Sequence, residues 1–274
     1  WLMNNYNLKL NDLEALVFYE KPLIKFERII ENYINSYPKG LYNFNKNFLA
    51  SLKNTLFIKS TIKKEINKLN LGKLDANRIK FSSHHLSHAA GSYFLSDFKE
   101  AAVVVIDGVG EWSTTSIGYA KNNEIHLEKE IRFPNSLGLF YSAITFFLGF
   151  KPNSAEYKIM GLAPYGKPIF TKKILRELIE IYEDGSFKID QTYFNFIYGG
   201  SEITKKFENL FETSVRKNEN EELKQIHFDI AASAQQIIEI AINRLGLYCS
   251  KLFKTKNIVF SGGVALNCTA VSKL

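Results

Sequence analysis

The stretch "EAAVVVIDGVGE" (100–111) decides how the chain is read. Six consecutive apolar residues, Ala101 to Ile106, read as a central strand. Asp107 and Gly108 close it with the residue pair that a tight turn prefers. Two segments of alternating character follow, "STTSIGYA" (113–120) and "EIHLEKEIRF" (124–133), separated by "KNN". Together the three predict an antiparallel meander.

Working outward, strands and helices alternate, which predicts an α/β class. Toward the C-terminus, "GLFYSAITFFLGF" (138–150) is an apolar helix, and "KPNSAEYKIMGLAPYGKP" (151–168) reads as a loop-rich segment punctuated by Pro and Gly. Residues 169–221 form a smaller peripheral region. Residues 222–253 are one long helix, and 257–274 read as a buried strand, a Gly-Gly turn and the start of a helix. Toward the N-terminus, "RIKFSS" (78–83) is strand-like and leads into a helix over "HLSHAAGSYFL", with Ser82 or Ser83 as N-cap. Further back, helix is expected over roughly 46–70 and over 21–37, where Leu23, Phe26, Ile29, Ile30, Tyr33 and Ile34 recur at helical spacing. A short buried strand is expected within 13–20.

Composition narrows the function classes. The 274 residues carry a formal charge of +7, but the basic residues are scattered among acidic ones, as in "KSTIKKEINKLNLGK" (59–73). Nucleic-acid binders usually concentrate basic residues in a stripe, so an anionic small molecule or a merely solvated surface is preferred. Two cysteines do not make a disulfide framework in a chain of this size, which points to a reducing, cytoplasmic setting. No apolar run approaches the length of about 18 residues that a membrane span needs. Trp1 and Leu274 both read as cut ends, so a longer parent protein is expected.

The chemistry concentrates in four places. Three of five histidines fall at His84, His85 and His88. On a helix, His84 and His88 share one face at i,i+4 spacing, which lets two imidazoles reach one metal. The competing reading is three hydrogen-bonded histidines at a strand–helix junction. Asp107, at the end of its strand and followed by Gly108, Gly110 and Glu111, is the carboxylate expected to join them, or else a plain hairpin turn. Gly262-Gly263 follows a strand and opens a helix, a pattern suited to a phosphate or ribose, with Asn267 placed for a sugar or base. Lys158 is either a point charge for a phosphate or an ordinary surface lysine.

These motifs also carry a resemblance. "HHLSHAAGSYF", "VVIDGVGEWSTTSIGYA", "NSLGLFYSAITFFLGF", "EYKIMGLAPYGKP" and "FSGGVALNC" stand in the order found in the O-carbamoyltransferases of nodulation-factor and antibiotic biosynthesis. "ALVFYEKPLIKFERII" (15–30) resembles the segment that precedes the histidines there. The likeness covers nearly the whole chain and is weakest over about 170–221. It implies a two-lobed fold of the actin, hexokinase and Hsp70 class, close to the tRNA threonylcarbamoyl-transfer enzymes and truncated at both ends. Residues 1–98 would belong to the first lobe and 99–274 to the second.

In that setting Asp107, Gly108, Gly110 and Glu111 form a phosphate loop, and Gly262, Gly263 and Asn267 an adenosine loop. His84, His88 and Asp107 hold a divalent metal (iron, with zinc or magnesium as alternatives). Lys158 lies by the phosphate or carbamoyl group, and His85 is the candidate general base. The implied reaction takes carbamoyl phosphate and ATP through carbamoyl-adenylate to a hydroxyl of a sugar or other small acceptor. A homodimer is left open. The family's first phosphate loop, a later metal-binding Asp and the adenylate-forming domain have no counterpart between Trp1 and Leu274.

Competing readings are a sugar or acid kinase of the same fold, a tRNA threonylcarbamoyl-transfer enzyme, and a non-catalytic nucleotide-binding module. The paired histidines weigh against a kinase, and the "EYKIMGLAPYGKP" segment weighs against the tRNA enzyme.

Overall fold

A computed structural model describes all residues except 42, 43, 45–47, 49–51, 54 and 199–201. Its organising element is β3 (Glu100–Ile106), the central apolar run, in a four-stranded sheet of order β5-β4-β3-β8. Strands β4 (Ser113–Lys121) and β5 (Glu124–Arg132) continue antiparallel from β3, as the meander predicts, and β8 (Ile258–Ser261) lies parallel on the other side of β3. The β4–β5 turn places Asn122 at φ +53°, a conformation Asn tolerates better than most residues.

Strand β3 is unalternating because both of its faces are covered. Ala101, Val103 and Val105 pack with Ala89 and Tyr93 of helix α4 (His84–Tyr93). Ala102, Val104 and Ile106 face the larger core under α5 (Leu137–Phe147) and α9 (Gln225–Leu252). The side chains of Ala101 to Ile106 are fully buried, while Glu100 at the start of β3 is exposed. Helix α4 therefore has one fixed face on the sheet, made by His85, Ala89 and Tyr93, and this sets His84 and His88 at the C-terminal end of β3.

At the N-terminus, a turn of helix α1 (Leu2–Asn5) precedes β1 (Leu16–Phe18), α2 (Pro22–Ser36), α3 (Ile58–Asn67) and β2 (Ile79–Phe81). Strands β1 and β2 pair in parallel as a separate sheet, with Leu16 opposite Ile79. Strand β1 is shorter and more open than the expected buried strand, since Val17 is 60% exposed. Part of the helix expected over roughly 46–70 lies outside the described residues.

Two expectations need correction. The segment 151–168 is not mainly loop: "EYKIMGL" forms α6 (Glu156–Leu162), with its prolines outside that helix. Glu156 sits in its first turn and accepts the N–H of Asn153 at 2.6 Å. Nor is 169–221 peripheral in packing. It holds α7 (Thr171–Glu177), the β6–β7 hairpin (Ile179–Ile181, Phe187–Ile189) and α8 (Lys205–Glu208). Ile174, Leu178, Phe187, Phe194, Phe207 and Phe211 all enter the same core as α9. After β8, the chain ends in a short 3₁₀ turn (Gly263–Leu266) and α10 (Cys268–Val271). Among the described residues no helix is long and apolar enough to cross a membrane.

Candidate metal and ligand site

The β3–β4 hairpin and the start of α4 build the site together. Asp107 follows β3 and is fixed by its own N–H, which donates to the Thr114 carbonyl at 2.8 Å. Its Oδ2 lies 2.8 Å from His84 Nε2 and 3.4 Å from His88 Nε2, and the two imidazole Nε2 atoms stand 3.1 Å apart. Helical i,i+4 spacing puts the two rings on one face, edge to face, with centroids 4.7 Å apart. Ser261 donates to the His88 carbonyl at 2.8 Å, tying α4 to the end of β8.

These spacings suit a shared cation. With metal–ligand bonds of about 2.1 Å, neighbouring donors stand roughly 3.0 Å apart in an octahedron and roughly 3.4 Å apart in a tetrahedron. The three observed separations fall in or near that interval, and the donor set of two imidazoles and one carboxylate suits a divalent transition metal. Burial opposes ionisation of Asp107, but hydrogen bonds from His84, His88 and the Gly108 N–H outweigh it and hold the carboxyl well below the usual carboxylate range.

The other oxygen of Asp107 faces a second feature. Its Oδ1 accepts the N–H of Gly263 at 3.2 Å. Asp107, Gly108 and Gly263 line a cavity of about 420 Å³, a size suited to a small organic ligand. Glycine is required at two positions in and beside this wall, Gly138 and Gly262. Gly262 has φ +91°, and a Cβ there would sit 2.3 Å from the Ile106 carbonyl oxygen. A Cβ on Gly138 would sit 2.8 Å from Gly108 Cα, whereas one on Gly108 would meet nothing within 4 Å. Ser136 holds this close approach: its hydroxyl donates to the Gly108 carbonyl at 2.6 Å and accepts the Leu139 N–H at 3.0 Å.

The far wall was not anticipated from the sequence. Tyr141, Glu156, Tyr157 and Met160 line it, together with the expected Asn267. Asn267 and Gln235 form a reciprocal amide pair at 2.8 and 2.9 Å, and Tyr141 donates to Gln235 at 2.9 Å. Burial pushes the Tyr141 hydroxyl above its ordinary range, so it stays a neutral donor. The available signal was a Gln next to the small-residue run "AASA" (231–234) of the long helix α9, but its partner lies 32 residues away.

Five expected catalytic or ligand residues do not line the cavity: Lys158, His85, Glu111, Gly110 and Gly262. Lys158 does not line the cavity. On α6 the cavity takes Glu156, Tyr157 and Met160, while Lys158 pairs with Glu219 and lies over the Phe150 ring. His85 is turned away from His84 and His88 and buried, 2.7 Å from the Ser116 hydroxyl through Nδ1. Burial lowers its pKa to about 4, so the ring is neutral, but it does not reach the cavity. Glu111 does not face a ligand either: its carboxylate accepts the backbone N–H of Lys21 at 2.7 Å and of His84 at 3.0 Å. Gly110 leaves room for this, since a Cβ there would stand 3.1 Å from His84 Cβ.

Known proteins match this chain along its length. It is 42% identical to the uncharacterized protein sll1178 of Synechocystis over 275 residues, which is 100% of this chain and 45% of that protein. It is 31% identical to the nodulation protein NolNO of Sinorhizobium fredii over 73% of this chain and 28% of that protein. For the nodulation protein NolO of Bradyrhizobium diazoefficiens the figures are 28% identity, 70% and 33%. The chain thus spans less than half the length of these relatives. Among solved structures, the Aquifex aeolicus member of the Ppx/GppA family covers 82% of this chain, and this chain covers 81% of it, at 15% identity and a TM-score of 0.26, a likeness too slight to argue from. The family described as Carbamoyltransferase N-terminus matches residues 1–274, and the chain belongs to it.

Proposed function

We propose that this domain transfers a carbamoyl group from carbamoyl-adenylate to a hydroxyl of a small acceptor such as a sugar. The convergence of His84, His88 and Asp107 beside a glycine-walled cavity is the observation that carries the reading. His84 Nε2, His88 Nε2 and Asp107 Oδ2 would hold a divalent cation, with iron preferred and zinc or magnesium as alternatives. Such a cation supplies Lewis-acid polarisation of a carbonyl oxygen.

The chain's own residues do the rest. The Gly108 and Gly138 backbones approach each other without side chains, leaving the cavity wall open to a nucleotide phosphate. Tyr141 and Asn267, fixed from behind by the buried Gln235, present a polar wall to the nucleoside. The acceptor oxygen attacks the carbamoyl carbon and AMP leaves. Glu156, the cavity's other carboxylate among the described residues, takes the hydroxyl proton in the role that buried His85 does not fill. Formation of the adenylate from carbamoyl phosphate and ATP would belong to a part of the protein outside these residues. The two-lobed actin-like architecture and a cytoplasmic setting are part of the same reading, and nucleic acid is not among the expected partners.

The test is the longer encoded protein incubated with ATP, carbamoyl phosphate and a panel of sugars, read by mass spectrometry. Gain of one carbamoyl group by an acceptor supports the reading. ATP- and carbamoyl-phosphate-independent behaviour, with no acceptor modified, points instead to a non-catalytic nucleotide-binding module.

A further inference from the structure

Two helices that converge on the histidine site lack caps of their own. Ser83, in the N-cap position of α4, makes no side-chain cap hydrogen bond. Lys21, in the N-cap position of α2, makes none either. A helix start leaves N–H groups unpaired and carries partial positive charge, so a carboxylate there is favourable. One carboxylate serves both starts. Glu111 Oε1 accepts the Lys21 N–H at 2.7 Å and the His84 N–H at 3.0 Å, and Oε2 shares the latter at 3.1 Å.

Glu111 is only 8% exposed, so these are charge-assisted bonds with little competition from water. They join segments 27 and 90 residues apart in sequence. Arg28 of α2, also 8% exposed, sits over the Phe133 ring at 5.1 Å, and Glu20 and Glu111 supply the opposing charge for its guanidinium.

His84 is therefore gripped twice by one hairpin. Its main-chain N–H is held by Glu111 and its ring by Asp107, four residues earlier on the same β3–β4 connection. His84 is also the first residue of α4, so its ring follows wherever that helix start is set. We propose that Glu111 is a positioning residue: its buried carboxylate clamps the starts of α2 and α4 and thereby sets the His84 ring against Asp107 and His88. The inference rests on the metal reading of those three residues, and it gives one loop two distinct tasks, with Asp107 contributing a donor atom and Glu111 aiming its partner.

The test uses Glu111→Ala and Glu111→Gln, with Ile230→Val, a buried change on α9, as a control for general destabilisation. Two readouts are taken: Co²⁺ affinity from its visible absorption, and hydrogen exchange at the Lys21 and His84 amides by NMR. Loss of an outer partner that orients a ligand typically costs about 10–100-fold in metal affinity. Glu111→Ala is expected to lose that much and to change the Co²⁺ spectrum, with faster exchange at both amides. Glu111→Gln keeps an acceptor oxygen and is expected to fall between it and the parent. The control is expected to leave affinity and spectrum unchanged.

If the unsubstituted protein binds no Co²⁺, the metal reading fails, while amide exchange still decides whether Glu111 clamps the two helices. Affinity and amide exchange within twofold of the parent in both variants overturn the proposal. If Glu111→Ala does not fold, the same result in Glu111→Gln alone overturns it.

Discussion

Gly262→Ala is the substitution with the most legible consequence. Gly262 stands at φ +91° and ψ 170°, in a region that is essentially restricted to glycine. Holding alanine there costs about 1–3 kcal/mol in backbone strain. The new Cβ would also lie 2.3 Å from the Ile106 carbonyl oxygen and 2.8 Å from its carbon. These are backbone atoms of the buried central strand, so they cannot swing aside, and overpacking of this kind costs about 1–3 kcal/mol more. The combined loss is about 2–6 kcal/mol, against a typical total stability of about 5–15 kcal/mol. Urea unfolding measures it directly. Gly91→Ala is the matched control, because Gly91 lies within α4 and a Cβ there would meet nothing within 4 Å. That change is expected to stabilise by about 0.5–1 kcal/mol. A loss below about 1 kcal/mol for Gly262→Ala, on the same scale as ordinary surface changes, would refute the reasoning about this turn.

Two further outcomes follow from burial. Cys249 is fully buried and its thiol is pushed up to about 12, whereas Cys268 is exposed, so a thiol reagent is expected to label one cysteine in the native protein and both in denaturant. Two labelled thiols in the native protein would contradict the packing of α9. His85 has a folded pKa lowered to about 4 by burial, below its ordinary 6.5. The unfolded chain therefore takes up this proton first, so stability is full above about pH 6.5 and is lost as pH falls toward 4, by about 3 kcal/mol at most. With chelator present, unfolding free energies measured against pH in the parent and in His85→Phe are expected to diverge across that window, and parallel curves would count against a buried neutral ring.

Much of the site could be read from the sequence because its parts are local. The run Ala101–Ile106, the turn after it, the i,i+4 histidines and the Gly-Gly turn each declare themselves within a few residues, and the structure brings all of them to one end of β3. What was not legible depends on direction or distance. Lys158 sits in a segment with the right composition, but which side of α6 faces the cavity is decided by packing against α5 and α9. Glu111 looked like a ligand group because a loop carboxylate beside glycines is ambiguous until its partners, Lys21 and His84, arrive from elsewhere in the chain. The region 169–221 lacks a motif, yet Phe194, Phe207 and Phe211 join the main core through contacts that no short window of sequence reveals.

The central claim is that two imidazoles and one carboxylate share a cation. Elemental analysis of the purified parent protein and of His84→Ala/His88→Ala tests it most directly. The account predicts about one divalent metal ion per chain in the parent and essentially none in the double variant. Equal metal content in the two would contradict it.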